Sequence, residues 1–552
     1  MNQAMNQAQT AYPNRVNIIN FIRGFEPRDP IDLVEPVKEQ LSLVQRHGLP
    51  ATWLLQYDAL INPAFADLLQ DADDAQEIGV WFEVVQPLAE KAGIPWRGRF
   101  AWDWHAHVAF TVGYTPRERE KLADVLMEDF RARFGYYPKS VGSWFLDAHA
   151  LAYLSDTYGI TASCNCKDQW GTDGYTLWGG YYNQAYYPSR LNGFMPAQTE
   201  ACQIPVPVFR MLGSDPIYQY DARLGGNGQS VITLEPVYSG AEGGGGIPRW
   251  VRWFYDVNFR PEQVSFGYTQ VGQENSFGWA LMKDGLIDQV EELAARQAKG
   301  ELRVETLEAS GRWFKAAHPV TPASSISALT DWRAEGRQSV WYYNRYYRLN
   351  LLNNDGELWI RDIHLFDERY EERYLRETCP DRYSHYDTLP VVDSARWSSG
   401  DKPAGLRPVA YDGEGQARPL AVRSVQTDES VPGELIVRID VEDGETLVIR
   451  CSERQVVFAA SRPDWGLEIR WGDSAELPDM KLGSDAVGYA FRDHPYRVQF
   501  IGALPPAPIP RERNGQAQEA AEEGLAAFAD GIACRALGRE LALRFLNFQA
   551  RS

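Results

Sequence analysis

Cysteine and basic residues are both scarce in this sequence. Only six cysteines occur among 552 residues, and apart from the pair Cys164 and Cys166 they are scattered, which excludes a disulfide framework. That pair could bind a metal, but no second pair lies nearby, so buried free thiols are the better interpretation. Lysine and arginine number 55 against 75 aspartate and glutamate residues, a formal net charge of −20. Phosphate binding needs basic surface, so this charge argues against a nucleic-acid partner; it suits a neutral or cationic substrate, or simply solubility.

Long apolar segments are missing as well. No run approaches the roughly 18 apolar residues of a membrane span, and residues 1–10 are polar, without the apolar centre of a signal peptide. The chain also lacks a Gly-x-Ser-x-Gly elbow and a dinucleotide fingerprint after its first strand. We therefore expect a bacterial cytoplasmic protein with no membrane partner and no cofactor, and the sequence leaves homo-oligomer formation open.

Aromatic residues, by contrast, are abundant. They make up 12% of the chain and include 18 tryptophans and 28 tyrosines. Aromatic faces stack on sugar rings without needing charge, although aromatic side chains also fill protein cores. Together with the low basicity, this composition favours a carbohydrate as the partner.

Strand-like and helix-like segments alternate over the first part of the chain. Buried apolar runs recur at residues 16–22, 51–56, 78–83, 141–146, 160–164, 204–211 and 264–269. A capping box with Thr115, Pro116 and Glu118 opens one of the intervening helices. Strands that alternate with helices of this length imply βα units and a parallel sheet, and seven of them suit a closed or nearly closed barrel.

From about residue 337 the hydrophobic pattern changes to a period of two. Strand-like segments occur at residues 339–343, 357–364, 433–441, 445–450, 496–500 and 541–546. This pattern predicts antiparallel β structure, in the form of a sandwich. The predicted fold is therefore α/β, a (β/α)7-type barrel followed by a C-terminal antiparallel β-sandwich-like domain. The predicted domains are a disordered tail over residues 1–14, a catalytic barrel over 15–320 and a β domain over 337–552, with a surface crossing at 505–523.

Three segments of the first domain resemble a known superfamily. QRHGLPATWLL, residues 45–55, is similar to a polysaccharide deacetylase pattern in which His-Gly precedes Ala-Thr. QEIGVWFE, residues 76–83, stands where those enzymes have His-Glu-Ile-Gly. FGYYPKSVGSWFLD, residues 134–147, resembles both a deacetylase pattern and the Trp-Leu-Pro-Glu segment of glycoside hydrolase family 57. Over about residues 15–300 the chain thus resembles the seven-stranded barrel shared by polysaccharide deacetylases and glycoside hydrolase families 57 and 38, with family 57 the sharpest local match.

The chain departs from these families at their metal ligands. The deacetylase Asp-Asp after the first strand is replaced by Arg23 and Gly24, and its His-x-x-x-His pair by Trp81 and Glu83. The opening His-x-His of family 57 is also missing. We therefore expect no metal site, and the resemblance implies the fold more than any one activity.

Glycoside hydrolysis requires two carboxyl groups, about 5 Å apart for retention or about 6.5–9.5 Å apart for inversion. The resemblance to family 57 implies that Asp147 stands at the position of the nucleophile. It also implies an acid/base just before Phe277 and Gly278, where the family's Asp would fall on Gln273 and Glu274 lies one residue away. We therefore predict Asp147 and Glu274 as the catalytic pair. Each has a structural alternative: Asp147 could be the N-cap of a helix, and Glu274 a helix-start charge or a structural hydrogen-bond acceptor.

Further polar and aromatic residues at strand ends are predicted to bind the substrate. They are Arg23, Trp81, Glu83, Asp103, Trp104, His105, Trp144, His149, Lys167, Gln169 and Gln273. Alternation along a strand puts Trp81 and Glu83 on one face, where an indole and a carboxylate can hold a sugar ring. The alternative for Glu83 is an ion pair with Arg23 or Arg28.

Several other residues carry weaker signals. Asp103, His105 and His107 could bind a metal from an extended loop instead of contacting a sugar. Asp215 and Glu235 are reserve acids, and the glycine run at residues 243–246 indicates a turn or the edge of a mobile lid.

The leading hypothesis is a metal-independent glycoside hydrolase. The alternatives are a metal-dependent carbohydrate deacetylase or mannosidase-like enzyme that uses Asp103, His105 and His107, and a sugar-binding protein without catalysis.

Overall fold

The computed structural model describes residues 14–221, 232–399, 402–414, 416–472, 474, 476–503 and 531–546. The predicted N-terminal tail, apart from Asn14, and the predicted surface crossing lie outside the described residues. The described chain forms two compact units. The first contains residues 14–221, 232–322 and 367–387, and the second contains residues 323–366 and the described residues from 388 onward.

The first unit combines strands with helices. Its strands up to residue 322 are β1 (Arg15–Ile22), β2 (Ala51–Leu55), β3 (Gln76–Trp81), β4 (Ser140–Gly142), β5 (Ala162–Cys166), β6 (Gln169–Thr172), β7 (Tyr175–Leu177), β8 (Ala185–Tyr186), β9 (Pro188–Ser189), β10 (Asn192–Pro196), β11 (Val208–Met211), β12 (Tyr268–Val271) and β13 (Arg303–Val304). Its helices are α1 (Val34–Arg46), α2 (Tyr57–Leu60), α3 (Pro63–Gln70), α4 (Gln86–Lys91), α5 (Ala106–Ala109), α6 (Pro116–Phe134), α7 (Ala148–Tyr158), α8 (Pro248–Asn258), α9 (Trp279–Ala298) and α10 (Leu307–Ala317). No helix in the described part of the chain is long and apolar enough to cross a membrane.

The main sheet of the first unit is parallel along most of its width. Its order is β12-β1-β2-β3-β4-β5-β11, and every neighbouring pair in this series is parallel. β8 adds antiparallel to β11, and β13 pairs with β1. The predicted βα units and parallel sheet are therefore confirmed.

The two end strands of this series, β11 and β12, share no ladder among the described residues. Side chains fill the place of the missing ladder: Asn183 Nδ2 donates to the carbonyl of Tyr268 at 3.2 Å, and Gln184 Nε2 donates to that of Phe266 at 2.8 Å. The Gln184 carbonyl in turn accepts from the backbone N–H of Arg210 at 2.9 Å. The structure thus has a mixed α/β unit with a curled parallel sheet, and a closed barrel stays a prediction.

Helix boundaries follow the expected capping chemistry. The Thr115 side chain accepts from the backbone N–H of Glu118 in a complete capping box at the start of α6. Gly135, with φ of 83°, ends the same helix in the left-handed conformation that glycine adopts without strain. The capping box that the sequence predicted is confirmed.

An aromatic cluster fills the sheet's concave face beneath the strand ends. Phe21 stacks on Trp81 with 4.4 Å between ring centroids, and Trp144 packs edge-on against both. Arg23 and Glu83 stand two positions after Phe21 and Trp81, beyond the last residues of β1 and β3, at the carboxyl edge of the sheet. The backbone N–H of Glu83 donates to the Trp81 carbonyl at 3.2 Å, so the chain turns between these two residues.

The segment 367–387 returns to the first unit, although the sequence analysis assigned it to the C-terminal domain. Its strand Ser384–His385 pairs with β7. The backbone N–H groups of Ala106 and His107 donate to the carbonyls of Arg382 and Asp381. These backbone bonds, which no hydrophobic pattern announces, hold the segment on the loop that follows β3.

The second unit is almost entirely antiparallel. Its elements are β14 (Ser324–Ala328), β15 (Arg337–Tyr343), β16 (Tyr347–Asn354), β17 (Glu357–Leu365), β19 (Leu389–Asp393), β20 (Gly405–Tyr411), β21 (Ala417–Pro419), β22 (Val422–Asp428), β23 (Leu435–Val441), β24 (Thr446–Ser452), β25 (Gln455–Ala460), β26 (Trp465–Arg470), β27 (Asp479–Leu482), β28 (Ala486–Phe491), β29 (His494–Ile501), β30 (Gly531–Arg535), β31 (Glu540–Leu546) and the short helix α11 (Ser394–Trp397), with β18 being Ser384–His385 of the first unit. One sheet has the order β14-β15-β16-β17-β20-β26-β30, and the other has the order β22-β23-β24-β25-β31-β29-β28-β27. Antiparallel β structure after residue 337 is confirmed, and the sandwich arrangement stays a prediction.

Candidate active site

A buried arginine brings two glutamates together at the carboxyl edge of the parallel sheet. Arg23 follows β1, Glu83 follows β3 and Glu274 follows β12, and all three are almost fully buried. Arg23 Nη2 lies 3.2 Å from Glu274 Oε2 and 3.7 Å from Glu83 Oε2. One cation is thus shared by two carboxyl groups from strands that lie on either side of β1 and β2 in the sheet.

Glu83 is oriented by two hydrogen bonds to one of its oxygens. Its Oε2 accepts from Gln56 Nε2 and from the indole N–H of Trp102, both at 2.9 Å. Burial raises the pKa of Glu83 to about 7, against the opposing effect of Arg23 and with a smaller contribution from Glu274. This carboxyl group therefore changes its protonation state near neutral pH.

Glu274 is the glutamate nearer to Arg23. Its Oε1 accepts a hydrogen bond from the Ser276 hydroxyl, and its Oε2 faces the guanidinium. Burial raises the pKa of Glu274, and Arg23 opposes that rise. Arg23 itself stacks on the Trp102 ring at 3.9 Å, so the indole fixes the cation that both carboxyl groups share.

Several buried polar atoms in this region have no hydrogen-bond partner among the described residues. They are the guanidinium nitrogens of Arg23, Oε1 of Gln56, Glu83 and Gln273, Oε2 of Glu274, and the indole nitrogens of Trp81, Trp144 and Trp178. Buried polar groups are rarely left unpaired, and exceptions concentrate where a ligand or water is received. Donors and acceptors occur together in this set, which suits a ligand rich in hydroxyl groups.

A third buried carboxyl group, Glu235, lies beside this pair. Its Oε2 accepts from the Thr233 hydroxyl at 2.9 Å, and its Oε1 accepts from Gln273 Nε2 at 3.2 Å. Burial raises the pKa of Glu235 to about 7; the two hydrogen bonds oppose the rise and Glu274 adds to it. From the sequence alone, Glu235 is only a secondary candidate for a catalytic acid.

The glycine run at residues 243–246 packs against the segment that carries Glu235. A Cβ on Gly245 would lie 1.9 Å from the Leu234 carbonyl oxygen, and one on Gly246 would lie 2.8 Å from that of Pro236. The Gly245 N–H also donates to the Thr233 carbonyl. Glycine is therefore needed for close backbone approach, and the run supports Glu235 instead of forming the edge of a lid.

The structure confirms the N-cap interpretation of Asp147. Its Oδ1 accepts from the backbone N–H of Ala150 at the start of α7 and from Arg119 Nη1, both at 2.9 Å. Its Oδ2 accepts from the Thr111 hydroxyl. Both oxygens are thus occupied by protein donors, and no contact among the described residues joins Asp147 to Glu274. A role as nucleophile stays a prediction, and this geometry does not favour it.

Asp103, His105 and His107 do not form a metal site. Asp103 accepts from the backbone N–H, Nε and Nη2 of Arg99 at 2.7–2.9 Å; against the effect of burial, these bonds hold the pKa of Asp103 at about 2. His107 Nδ1 lies 3.1 Å from the Asp381 carbonyl. Within the described ranges no three His, Cys, Asp or Glu side chains are grouped to hold a metal ion. The alternative that routes catalysis through these three residues therefore lacks support.

The aromatic predictions fall around the same centre. Trp81 and Trp144 lie in the packed cluster beneath Arg23 and Glu83. Trp104 is partly exposed, 5.9 Å from the Trp102 ring and 6.2 Å from the exposed Phe100. These rings lead from the surface towards Trp102.

Three other predicted residues lie apart from this centre. His149, on α7, lies with Nε2 at 3.1 Å from Glu120 on α6. Lys167 is buried between the rings of Tyr182 and Phe254, and burial lowers its pKa to about 7. Gln169 accepts from the Tyr175 hydroxyl at 3.4 Å. No contact within the described part of the chain connects these three side chains to Arg23, Glu83 or Glu274.

Gln56 and Trp102 were missed as site residues, although both bind Glu83. The signal was available: Gln56 directly follows β2, and Trp102 lies in the Trp-Asp-Trp-His run after β3. Polar groups at strand ends of a parallel sheet share one edge. That rule would have pointed to Gln56.

No family model and no curated protein matches the chain. Among solved structures, a protein assigned as a glycoside hydrolase/deacetylase from Parabacteroides distasonis is similar, with 18% identity, 67% of this chain and 88% of that chain covered, and a TM-score of 0.49. A protein assigned as a polysaccharide deacetylase from Mycobacterium smegmatis is 12% identical; the match covers 55% of this chain and 91% of that chain, with a TM-score of 0.34. One from Pseudomonas aeruginosa is also 12% identical; the match covers 57% of this chain and 94% of that chain, with a TM-score of 0.35. At these identities, any activity of this chain rests on its own residues.

Proposed function

We propose that this chain is a glycoside hydrolase that acts on an oligosaccharide or glycoside, with Glu83 and Glu274 as its two catalytic carboxyl groups. The observation that carries the proposal is the pair of buried glutamates that share the Arg23 guanidinium, with Oε1 of Glu83 left without a hydrogen-bond donor among the described residues. This pairing replaces the predicted partnership of Glu274 with Asp147. We further propose that the curled sheet is a (β/α)7-type barrel whose last gap is bridged by Asn183 and Gln184.

The separation of the two carboxyl groups suits the chemistry. Both Oε2 atoms lie close to Arg23 Nη2, so they are at most about 7 Å apart, the sum of the two distances to that nitrogen. Retaining enzymes need about 5–5.5 Å and inverting enzymes about 6.5–9.5 Å. An upper limit of about 7 Å is compatible with retention, in which a carboxylate attacks directly, and with inversion, in which a water lies between the carboxylate and the sugar. The stereochemical outcome therefore stays open.

The electrostatics favour different roles for the two glutamates. Glu83, with a pKa of about 7, is protonated in mildly acidic solution and can donate its proton to the leaving-group oxygen. Glu274 is closer to the guanidinium, which favours its ionised form. Ionised, it can stabilise the positive charge that develops on the sugar, and it can attack that carbon or activate a water.

The surroundings suit sugar hydroxyl groups. Hydroxyls both donate and accept hydrogen bonds, and the unpaired buried atoms here include indole and guanidinium donors as well as amide and carboxyl acceptors. The neighbouring indoles of Trp81, Trp102 and Trp144 add apolar surface for the C–H groups of a ring.

The test is hydrolysis of a panel of alkyl and aryl glycosides by the full-length chain. We expect Glu83→Gln to lower kcat by roughly 10²–10⁴-fold on alkyl glycosides, and Glu274→Gln to do so on both kinds of substrate, while the circular dichroism spectrum of each variant is unchanged. Glu291→Gln, at an exposed position on α9, is the matched control and should keep full activity.

Three outcomes would overturn this assignment. Activity that persists in both glutamine variants would exclude the pair. Activity abolished by a chelator and restored by a divalent metal would favour the metal-dependent deacetylase or mannosidase-like alternative. Sugar binding without any hydrolysis would leave the sugar-binding alternative.

A further inference from the structure

Glu235 is a buried carboxyl group that the proposed catalytic pair does not use. Its residue is 4% exposed, and in the described part of the protein it forms no ion pair with a lysine, arginine or histidine, since its oxygens accept only from Thr233 and Gln273. A buried carboxylate without a cation is costly. A neighbouring carboxyl group, Glu274, raises the pKa of Glu235 further.

Gln273 supplies a second, independent feature at the same place. Its side chain is fully buried, and its Nε2 is committed to Glu235. Its Oε1, on the same amide, has no hydrogen-bond donor among the described residues. The backbone of Gln273 is fixed as well, because its N–H donates to Asn20 Oδ1 and its carbonyl accepts from Gln40 Nε2. The amide is therefore held in place with its acceptor unused.

The next residue in the chain adds a further carboxyl group. Glu274 Oε2 is buried and lies 3.2 Å from Arg23 Nη2, so this guanidinium pairs with Glu274 and Glu83 and not with Glu235. Around Glu235 the structure thus gathers oxygen acceptors, and no cation among the described residues pairs with it. The close-packed glycines at residues 243–246 hold this arrangement in position.

We propose that Glu235 and Gln273 form a specificity pocket for a protonated amino group, so that the preferred substrate is an amino sugar with a free amine. This inference rests on the proposed function, because it names the substrate class of the same site. An ammonium group carries three donors, no acceptor and a positive charge, which complements acceptors that lack donors and a carboxylate that lacks a cation. A neutral hydroxyl or an acetamido group supplies no charge.

Charged groups on neighbouring elements also favour a positive charge beside Glu235. Glu274 and Asp173 both favour positive charge at this point, and the Tyr238 phenol, whose pKa Glu235 raises, stays neutral and contributes no competing anion. A bound ammonium group would therefore meet negative charge on several sides. Near neutral pH the ligand itself would promote ionisation of Glu235.

The experiment is isothermal titration calorimetry of the full-length chain near neutral pH. The probes are glucosamine, glucose and N-acetylglucosamine, which share a ring and differ in the group at one carbon. We expect glucosamine to bind roughly 10- to 100-fold more tightly than the other two, the range for a hydrogen bond to a charged group. In Glu235→Gln this preference should largely disappear, because the affinity for glucosamine should fall much more than the affinity for glucose, and Glu291→Gln should keep the preference.

Gln273→Met provides a second variant in case Glu235→Gln does not fold. It removes the unused acceptor together with the Nε2 donor to Glu235 and keeps the size of the side chain. It should lower the affinity for glucosamine more than the affinity for glucose, and so reduce the preference. Equal affinity for the three sugars in the unmodified chain, no binding of glucosamine, or a preference that survives both substitutions would overturn the inference.

This result is separable from that of the proposed function. Selective glucosamine binding by a chain that hydrolyses no glycoside would contradict the hydrolase assignment and keep the specificity pocket. Hydrolysis that depends on Glu83 and Glu274 but prefers neutral glycosides would support the hydrolase assignment and contradict the specificity pocket.

Discussion

Replacing Glu83 by glutamine should stabilise the protein in alkaline solution while it removes activity. The pKa of Glu83 is about 7 in the folded chain, above its ordinary value of 4.5, with burial as the main cause. Between those two values the folded state holds a proton that the unfolded state has released, so stability falls as the pH rises through that interval. Above about pH 7 the loss is complete, and it amounts to about 3 kcal/mol at about 1.4 kcal/mol per pKa unit.

Glutamine has no proton to lose over this range. At about pH 5 Glu83 is neutral in the folded chain, so Glu83→Gln and the unmodified protein should have similar stabilities. At about pH 8.5 the variant should be more stable by about 3 kcal/mol relative to that baseline. Gln56 and Trp102 donate to an oxygen that the amide retains, so these hydrogen bonds survive the substitution.

The assay is the urea unfolding midpoint, followed by tryptophan fluorescence at the two pH values. Glu291→Gln, exposed on α9, is the control and should show no pH-dependent difference from the unmodified chain. A difference between Glu83→Gln and the unmodified protein that stays constant from acid to alkaline pH would refute the reasoning, because it would mean that Glu83 is not held protonated.

Three further predictions concern the residues around the site. Asp147→Asn breaks a buried ion pair with Arg119 and should lower the free energy of unfolding by about 3–5 kcal/mol, with kcat at 25 °C kept within about tenfold; a large loss of kcat without destabilisation would restore Asp147 as the nucleophile. Gly245→Ala should lower both thermal stability and the affinity for glucosamine, because the new Cβ meets the Leu234 carbonyl; an unchanged melting temperature would show that the contact is easily relieved. Arg23→Met should destabilise the chain more at alkaline than at acid pH, since it removes the cation between two carboxyl groups; equal destabilisation at both would contradict the shared ion pair.

The sequence was most informative where a short-range rule determines geometry. The alternation of apolar strands with helices predicted the parallel sheet from local patterns alone. The capping box at Thr115 likewise depends on residues within one turn. Such relations need no knowledge of distant parts of the chain.

Long-range contacts decided what the sequence left open. A helix cap and a catalytic acid look the same at Asp147, and the donors that occupy it, Arg119 and Thr111, lie 28 and 36 residues away. Glu235 is joined to the site by a hydrogen bond from Gln273, which lies 38 residues further along the chain. The return of residues 367–387 to the first unit depends on backbone hydrogen bonds and on side-chain bonds such as those from the N–H groups of Ala148 and Gly193 to Glu372. All of these join residues far apart in the sequence.

The most direct test of the central claim is the dependence of the two glutamine variants on the leaving group. A general acid is needed when the departing oxygen is strongly basic and hardly needed when it is not. Glu83→Gln should therefore keep nearly the kcat/KM of the unmodified chain on a dinitrophenyl glycoside and have a much lower kcat/KM on an alkyl glycoside of the same sugar, whereas Glu274→Gln should be impaired on both. Equal losses on both substrates for Glu83→Gln, or full activity of Glu274→Gln on either, would contradict the assignment of Glu83 as the acid and Glu274 as its partner.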